Sequence, residues 1–524
     1  MRPKPGILDL VADTSTDPDA RTDAEIELTF DADEGFALPD LRDLPGVAQV
    51  APPQVRDLEA VYYDTADYRL AAHRHTLRRR TGGHDAGWHL KRPRSDGFRD
   101  ELQEPLGDEA AVPPALRRFV EVHVRGAQLA PVVRLSTRRT ATELLDAAGT
   151  VLAEIAQDDV TAELPALAGR DGEVRPGEVV RWSEIEAELV RGDLDLLEAV
   201  RTRLLAAGAR LSDSPSKLAR ALGDRVPVAP AAAGVPGTAG AALLAYVRGQ
   251  VADLLVQDPL VRADAHDAVH QMRVACRRLR AVLAAFRPVV DAAGVEPVRA
   301  ELKWLGEVLG QARDAEVVRD RLLAAVAAEP PELVLGPVER FVTETFSTRY
   351  RTAHDAVLEA LGSERYFALL DALDALATTA PRGPRASASA KKVLRRQLAR
   401  TYRRTRRLVE DARAASGEHR EELFHEVRKS AKRARYAGDA ATAVLGEQAR
   451  SYAKAMKAVQ EVLGEHQDGV VAGAALRELA VAAHQAGENA FTYGRLHGLE
   501  QAAGERALAR FDETWHDARR ARVR

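Results

Sequence analysis

The C-terminal half of this sequence contains one pattern twice. His270–Arg280 returns in altered form as His425–Arg435, at an offset of 155 residues. A second block, Leu302–Asp314, returns as Met456–Asp468, at an offset of 154 residues. Two blocks with nearly equal offsets indicate an internal duplication. The fold must therefore repeat one helical unit in this half of the chain.

Each copy places one histidine and a row of cations on one face of a helix. The spacing is 3, 4 and 3 residues, which keeps side chains on the same side of an α-helix. A Lys also corresponds between the second blocks. The candidate anion-binding residues are His270, Arg273, Arg277, Arg280, Lys303, Arg313, His425, Arg428, Lys432, Arg435 and Lys457.

Aligned like charges repel unless something neutralises them. Two interpretations remain for the rows, a solvated face paired with Glu and Asp or a site for a linear polyanion such as polyphosphate or nucleic acid. Nucleic-acid sites commonly interleave aromatic residues with cations. Aromatic residues are 5% of the chain and are nearly absent from the rows, which favours an anion without bases. For the basic run 391–407, the solvated face is favoured.

Composition divides the chain into two halves. Residues 1–240 carry 30 Lys+Arg and 41 Asp+Glu, whereas residues 241–524 carry 45 and 38. The halves should therefore have different partners. The single Cys276 excludes an intramolecular disulfide and fits a reducing compartment. We expect a cytoplasmic protein without a membrane span, and polyphosphate granules are one place where it would be found.

Secondary-structure signals change between the halves. We predict a disordered tail over 1–22, a strand-rich domain over 23–223, a Pro/Gly/Ala linker over 224–240 and helices over 241–524. The helical repeats should cover about 241–380 and 389–524. Helices predicted in the second blocks end at Leu309 and Leu463, next to Gly310 and Gly464.

Several predicted strands repeat charges at every second position, which places those charges on one face. Glu25 and Glu27 share a face, as do Arg78 and Arg80. For a single strand, a solvated, salt-bridged face is the ordinary explanation. Five such strands favour an enclosed polar interior instead. Arg and Lys suit phosphate oxygens, and paired Glu carboxylates suit Mg²⁺ or Mn²⁺.

These residues resemble the CYTH family of triphosphate tunnel metalloenzymes over residues 24–222. The motifs that carry the resemblance are Glu25-Ile-Glu27-Leu-Thr29, Tyr62-Tyr63-Asp64-Thr65, Leu77-Arg78-Arg79-Arg80, Leu90-Lys91, Glu186-Ala-Glu188-Leu and Ser216-Lys217-Leu218. The resemblance implies an antiparallel eight-stranded β tunnel that hydrolyses triphosphates with a divalent cation.

The resemblance also assigns roles within this tunnel. It implies that metal is held by Glu25, Glu27, Glu186 and Glu188, and phosphate by Arg78, Arg80, Lys91, Arg134 and Lys217. One position departs from the family pattern, because Thr29 stands where the family has Lys. Losing a charge-assisted hydrogen bond costs roughly 1.5–3 kcal/mol, so Thr29 bears on turnover more than on binding.

The second half resembles the CHAD domain, a helical module with conserved histidines. The matching residues are His270, Arg273, Arg277, Lys303, Gly310, Arg313 and Asp314, and in the second copy His425, Arg428, Lys432, Lys457, Gly464 and Asp468. The resemblance implies two pseudo-symmetric helical bundles around a basic groove for inorganic polyphosphate. Gln467 replaces the Arg of the first copy, which predicts weaker binding on that side. The fold class is thus a two-domain α+β chain with duplicated all-α bundles.

Three functions are compatible with the sequence. The first is a Mg²⁺- or Mn²⁺-dependent triphosphatase or polyphosphatase whose helical half holds the polyanion. The second is a non-catalytic polyphosphate-binding protein in which Thr29 has abolished turnover. The third is nucleic-acid binding, which the scarcity of aromatic residues disfavours.

Overall fold

A computed structural model of the chain describes residues 26–82, 86–93, 99–107, 111–168, 174–175, 177–227 and 234–523. The chain forms two compact units, 1–229 and 230–524. The predicted tail over 1–22 and Glu25 lie outside the described residues, as does part of the predicted linker. Each unit is built around its own buried residues, so each is considered by itself.

The first unit is an antiparallel sheet of ten strands. Its strands, with the separate pair β9–β10, are β1 (Glu27–Ala32), β2 (Gln49–Val50), β3 (Gln54–Asp64), β4 (Thr76–Thr81), β5 (Gly87–Pro93), β6 (Arg99–Glu104), β7 (Ala130–Leu145), β8 (Val151–Leu164), β9 (Leu167–Ala168), β10 (Val174–Arg175), β11 (Glu178–Leu189) and β12 (Arg210–Leu211). Hydrogen-bonded neighbours follow the order β12-β1-β11-β8-β7-β3-β4-β5-β6, and β2 pairs with β7. The predicted eight strands are the long ones, and β2 and β12 add two residues each.

Helices cover the outer face of this sheet. They are α1 (Arg69–Ala72), α2 (Pro114–Val124) and α3 (Leu194–Ala206). A fourth helix, α4 (Lys217–Leu222), instead packs against Leu135, Val160 and Ala162 on the inward face. Ile185 and Ala187 of β11 are buried in a cluster with Leu197 and Val200 of α3, and Ile26 and Leu28 pack against it. Because the apolar positions of these strands face outward to the helices, the alternating charged positions face inward.

The second unit is helical. Its helices are α5 (Ala239–Arg262), α6 (Ala268–Ala285), α7 (Ala292–Ala327), α8 (Val338–Leu361), α9 (Glu364–Thr378), α10 (Ala390–Ala414), α11 (Gly417–Leu445), α12 (Glu447–Gln485), α13 (Phe491–Ala509) and α14 (Phe511–Ala518). The duplicated basic rows lie on α6 and α11, and these two helices contact each other. The second blocks lie on α7 and α12, which pack against α6 and α11 respectively.

Both predicted helix ends in the second blocks are wrong. Gly310 lies inside the 36-residue α7, and Gly464 lies inside the 39-residue α12. Glycine normally weakens a helix interior by about 1 kcal/mol relative to Ala, so a sequence pattern places the helix end there. The contacts of these two glycines, given below, explain why they stand in the middle of a helix.

Among the described residues, helix α5 is long and apolar enough, by length and composition alone, to cross a membrane. A core helix of a globular unit passes the same test. Asp258 of α5 is fully buried, where it pairs with Arg262 at 2.6 Å and accepts a hydrogen bond from Tyr366 of α9 at 2.7 Å. These contacts tie α5 into the helical unit.

Candidate functional site

The inward face of the sheet encloses a polar cavity of about 330 Å³. One wall, formed by β1, β8 and β11, is acidic. The opposite wall, formed by β3, β4 and β5, is basic and includes Arg56, Arg78, Arg80 and Lys91. Such a cavity can hold an anion against its basic wall and a cation against its acidic wall, with the two ions in contact. This is the enclosed polar interior predicted from the alternating charges.

Three carboxylates form the centre of the acidic wall. Among the described residues, oxygen atoms of Asp158, Glu184 and Glu186 lie within 4.8 Å of one another. The Lys217 Nζ atom lies 2.5 Å from Glu186, 2.6 Å from Glu184 and 3.0 Å from Asp158. Arg139 forms a bidentate pair with Asp158, at 2.8 and 2.7 Å, and also contacts Glu186.

These ion pairs set the charge of the cluster. Burial alone would raise the pKa of Glu186, but Lys217 and Arg139 outweigh burial and hold that pKa well below its usual range. Burial would lower the pKa of Lys217, but the carboxylates raise it above its usual range. Glu186 and Lys217 therefore remain charged through the neutral pH range.

The position of Lys217 follows from a short helix. Ser216 caps α4, and its side chain accepts a hydrogen bond from the Ala219 amide at 3.1 Å. Lys217 is the first residue of α4, where the helix dipole disfavours a cation. The three carboxylates offset that cost and direct the ammonium group into the cavity.

A second acidic row lies across β1, β11 and β8. In the strand register, Glu27 faces Glu188, and Glu188 faces Glu154. All three line the cavity. Like charges that face each other across strands destabilise a sheet unless a cation lies among them. Carboxylate oxygens are the ligands that Mg²⁺ and Mn²⁺ prefer, so this row fits a divalent cation.

The basic wall contains a second network. Glu101 of β6 lies 2.8 Å from His89, 3.9 Å from Lys91 and 4.0 Å from Arg78. The Arg78 Nε atom is buried without a hydrogen-bond partner in the structure. An unsatisfied buried donor on a cavity wall is a place where a phosphate oxygen could accept a hydrogen bond.

Most of the residues predicted for the tunnel line this cavity. They are Glu27, Glu186, Glu188, Arg78, Arg80, Lys91 and Lys217. Arg134 does not, because it is exposed on the outer face of β7 while Leu135, Thr137 and Arg139 line the cavity. The prediction for Arg134 was one residue out of phase. β7 carries arginines on both of its faces, so the positions of its charges did not identify the inner face.

The site assigned from the sequence leaves out six charged cavity residues, namely Arg56, Glu101, Arg139, Glu154, Asp158 and Glu184. A signal for three of them existed. Glu154 and Asp158 are four apart on one strand and therefore share a face. Glu184 shares the face of Glu186 and Glu188, and this alternation is visible in the sequence.

Thr29 lies in the cavity, and its strand position faces Glu186. The Lys217 ammonium group already contacts the Glu186 carboxylate. The family motif places a positive charge on β1, and Thr29 does not supply it. Instead, Lys217 of α4 forms an ion pair with Glu186, the strand partner of Thr29. The threonine hydroxyl can donate a hydrogen bond to a ligand but adds no charge.

In the helical unit, cations from both repeats converge. The pKa of Lys432 on α11 is lowered to about 7, first by burial and then by Arg277, Arg428 and Arg273. Arg273 and Arg277 belong to the first repeat, and Arg428 to the second. The predicted rows on α6 and α11 therefore face a shared region rather than separate surfaces.

Many nitrogen atoms in this region have no hydrogen-bond partner. Buried side-chain nitrogens without one include His270 Nδ1, Arg277 Nε, Arg280 Nε, Arg313 Nε and Arg428 Nε. The pKa of His270 is lowered by burial and by Arg313, and those of Arg277 and Arg280 are lowered mainly by burial. Each unsatisfied guanidinium donor costs free energy, so these arginines have donors that an anion could satisfy.

Two glycines make room for the arginines. A Cβ atom at Gly310 would lie 3.3 Å from Arg273 Nη2, and one at Gly464 would lie 3.4 Å from Arg428 Nε and Nη2. Gly310 and Gly464 correspond in the two repeats, as do Arg273 and Arg428. Both repeats therefore contain the same contact, in which a guanidinium group packs over a helix backbone.

The remaining predicted residues differ in exposure. Lys303 and Lys457 are more than half and about half exposed, and pair with Glu307 at 3.5 Å and Glu461 at 3.2 Å. They lie on the rim rather than in the buried cluster. Arg435 is about a quarter exposed and lies 3.9 Å from Asp439.

The two copies are not identical. In the first, Arg313 donates to Glu316 at 2.7 Å, and Arg273 donates to Asp314 at 2.7 Å. In the second, Gln467 takes the position of Arg313, and its side-chain oxygen lies 3.3 Å from His425 Nδ1. The second side thus has one cation fewer, as the sequence indicated.

Comparison with known proteins matches both units. A CYTH domain model matches residues 24–222, and a CHAD domain model matches residues 245–477. Uncharacterized protein Rv2226 of Mycobacterium tuberculosis is 39% identical over 516 residues, covering 94% of this chain and 98% of that protein.

Two solved structures are similar to part of this chain. PptA from Streptomyces chartreusis is 25% identical, with a TM-score of 0.44, and covers 53% of this chain and 99% of its own. The CHAD domain from the plant Ricinus communis is 26% identical, with a TM-score of 0.43, and covers 57% and 98%. The family models and the full-length relative show that the chain belongs to the proteins in which a CYTH domain precedes a CHAD domain.

Proposed function

We propose that the helical unit binds inorganic polyphosphate. The observation that carries this proposal is the convergence of cations from two repeats around Lys432, with buried guanidinium nitrogens left unsatisfied. A linear polyanion supplies many oxygen acceptors in a row. Arginine binds phosphate oxygens in a bidentate geometry, which satisfies such donors in pairs.

Inorganic polyphosphate fits this region better than nucleic acid does. Phe424 and Tyr436 are the aromatic residues directly before and after the α11 row, and they are 4% and 3% exposed. A buried ring offers no face on which a base could stack. A competition experiment at fixed salt, with polyphosphate against a single-stranded oligonucleotide of equal charge, tests the choice. Polyphosphate should displace the oligonucleotide, and the reverse outcome would contradict the proposal.

For the cavity of the sheet unit, we propose metal-dependent hydrolysis of a triphosphate or of a polyphosphate end. Glu27 and Glu188 would hold Mg²⁺ or Mn²⁺, which when bound offsets phosphate charge and activates water. Arg78, Arg80 and Lys91 on the opposite wall bind phosphate oxygens and orient the chain between the walls. Separated acidic and basic walls support this assignment.

A non-catalytic cavity is the second candidate. It is favoured by Thr29, and by the ion pairs through which Lys217 and Arg139 already neutralise the central carboxylates. Release of phosphate from tripolyphosphate with Mg²⁺ or Mn²⁺, compared with a chelator control, distinguishes the candidates. Hydrolysis requires release that the chelator abolishes. If neither the natural protein nor Thr29→Lys releases phosphate, the cavity only binds.

A further inference from the structure

An arginine groove lies on the exposed side of α10. It has a volume of about 660 Å³ and is lined by Arg396, Gln397, Arg400, Arg403, Arg404, Arg407 and Leu408. The opposite side of α10 is buried through residues such as Leu398, Thr405 and Val409. The five groove arginines recur at three- and four-residue steps and thus share one face.

Their charge is not balanced by neighbours. In the part of the chain that the structure describes, these five arginines form no ion pair with a carboxylate. Arg406, at the flank of the groove, pairs with Glu410 at 3.4 Å, and Arg403 Nε donates to the Ala399 carbonyl of its own helix. Five like charges on about 16 Å of helix repel one another unless an anion lies along them.

A line of cations joins this groove to the duplicated rows, because α10 packs against α11 and α11 packs against α6. Arg433 on α11 has a lowered pKa because of burial and then Arg404 of the groove, with Arg299 also nearby. Arg280 of the first row has a lowered pKa because of burial and then Arg299. The sequence of neighbours is therefore Arg280, Arg299, Arg433 and Arg404, which crosses from α6 to α10.

Three of the four cations in this line have a carboxylate neighbour, whereas Arg404 forms no ion pair with any described carboxylate. Glu307 lies near Arg280, Glu426 lies near Arg433, and Glu296 pairs with Arg299 at 2.5 Å. The Nε atoms of Arg280 and Arg299 are buried without hydrogen-bond partners. The line consequently keeps free donors that a continuous row of phosphate oxygens could occupy.

We infer that the α10 groove is a second binding segment, which engages inorganic polyphosphate only when the chain extends beyond the duplicated rows. The inference rests on the proposed polyphosphate-binding function and adds a chain-length preference to it. A short polyphosphate satisfies the cluster around Lys432. A long one continues past Arg299 and Arg433 and gains contacts with Arg404, Arg400 and Arg407.

The test compares short and long inorganic polyphosphate on the full-length protein. Affinities are measured for the natural protein and for Arg400→Gln/Arg404→Gln/Arg407→Gln. The matched control is Lys391→Gln/Arg395→Gln/Arg406→Gln, which removes three cations of the same helix outside the groove. Thermal unfolding of each variant checks that these exposed substitutions leave the fold intact.

The groove variant should bind short polyphosphate as the natural protein does, but lose about ten-fold or more in affinity for long polyphosphate. By analogy with nucleic-acid binding, its salt dependence for the long chain should fall by roughly two to three counterions. The control should change either affinity by less than about three-fold.

Each other outcome is informative. Equal affinity of the natural protein for short and long chains overturns the groove inference but leaves polyphosphate binding intact. Equal losses in the groove variant and its control also overturn it, since only net charge would then matter. No binding of either chain by the natural protein would refute the proposed function itself. If an oligonucleotide bound tightly through the groove arginines and polyphosphate did not, the ligand of the groove would be nucleic acid instead of polyphosphate.

Discussion

Individual charged residues in this protein differ mainly in what surrounds them. Arg78 and Arg134 both come from alternating strands, yet Arg78 lines the cavity and Arg134 lies on the outer face. Lys432 and Lys303 are both lysines of the duplicated pattern, yet only Lys432 is crowded by arginines. The functional value of each residue therefore depends on burial and neighbours rather than on its type.

Arg78 and Arg134 form a matched pair for mutation. Arg78→Gln should weaken tripolyphosphate binding by about ten- to a hundred-fold, since a charge-assisted hydrogen bond is worth roughly 1.5–3 kcal/mol. Arg134→Gln should change it by less than about two-fold. Titration calorimetry with tripolyphosphate measures both. Similar losses in the two variants would argue against the cavity as the binding site.

Lys432 should make polyphosphate binding depend on pH. Its pKa in the free protein is lowered to about 7 by burial and by Arg277, Arg428, Arg273 and Arg435. A bound polyanion neutralises those arginines, so Lys432 regains its proton on binding. Affinity should be nearly constant below pH 7 and fall above it, by up to about ten-fold per pH unit. Calorimetry in buffers of different ionisation enthalpy measures the proton uptake.

The control for this effect is Lys432→Arg, because arginine stays charged throughout this range. The variant should lose the pH dependence between 7 and 9, and retention of the full slope would show that another group causes it.

The lowered pKa of Lys432 also affects the free energy of unfolding. Between pH 7 and the ordinary value of 10.5, the unfolded chain holds more protons than the folded one, so stability should rise with pH there.

At the scale of helices and strands, the sequence predicted element types better than element ends. The alternation in β1 and β11 identified inner and outer faces because their apolar positions pack on α3. The same argument was wrong for β7, where arginines occupy both faces. The helix ends at Gly310 and Gly464 were wrong because a glycine that accommodates a neighbouring guanidinium has the same sequence signature as a helix end.

Gly310→Ala and Gly464→Ala test that role of glycine. The new Cβ atoms would press on Arg273 and Arg428 at 3.3 and 3.4 Å, so each guanidinium must shift. Polyphosphate affinity should fall roughly three- to ten-fold, about 1 kcal/mol per lost hydrogen bond. Gly306→Ala on the same helix has open space and should leave affinity unchanged.

Stability gives the second measurement for these variants. Ala is favoured over Gly in a helix by about 1 kcal/mol, so Gly306→Ala should raise the melting temperature. Gly310→Ala should gain less because of the crowded arginine. If all three variants were stabilised equally and bound polyphosphate normally, the close approach would have no functional meaning.

At the scale of the whole molecule, the two compact units have separate cores and separate candidate binding sites. Calorimetric unfolding of the full chain should therefore show two transitions. Tripolyphosphate with Mg²⁺ should raise the transition of the sheet unit. Long inorganic polyphosphate with a chelator, which removes the metal proposed for the cavity, should raise mainly that of the helical unit, as expected when a ligand binds only the folded state. A single transition that shifts equally with either ligand would contradict this division.

The most direct test of the account is a titration of the full-length chain with inorganic polyphosphate, in which the natural protein is compared with Arg273→Gln/Arg428→Gln. The control Arg365→Gln/Arg495→Gln removes two cations that pair with Glu301 and Glu329. The account predicts tight binding that falls by about a hundred-fold in the first variant, two charge-assisted contacts being lost. The control should change little. Unchanged binding in Arg273→Gln/Arg428→Gln would contradict the assignment of the duplicated rows as the polyphosphate site.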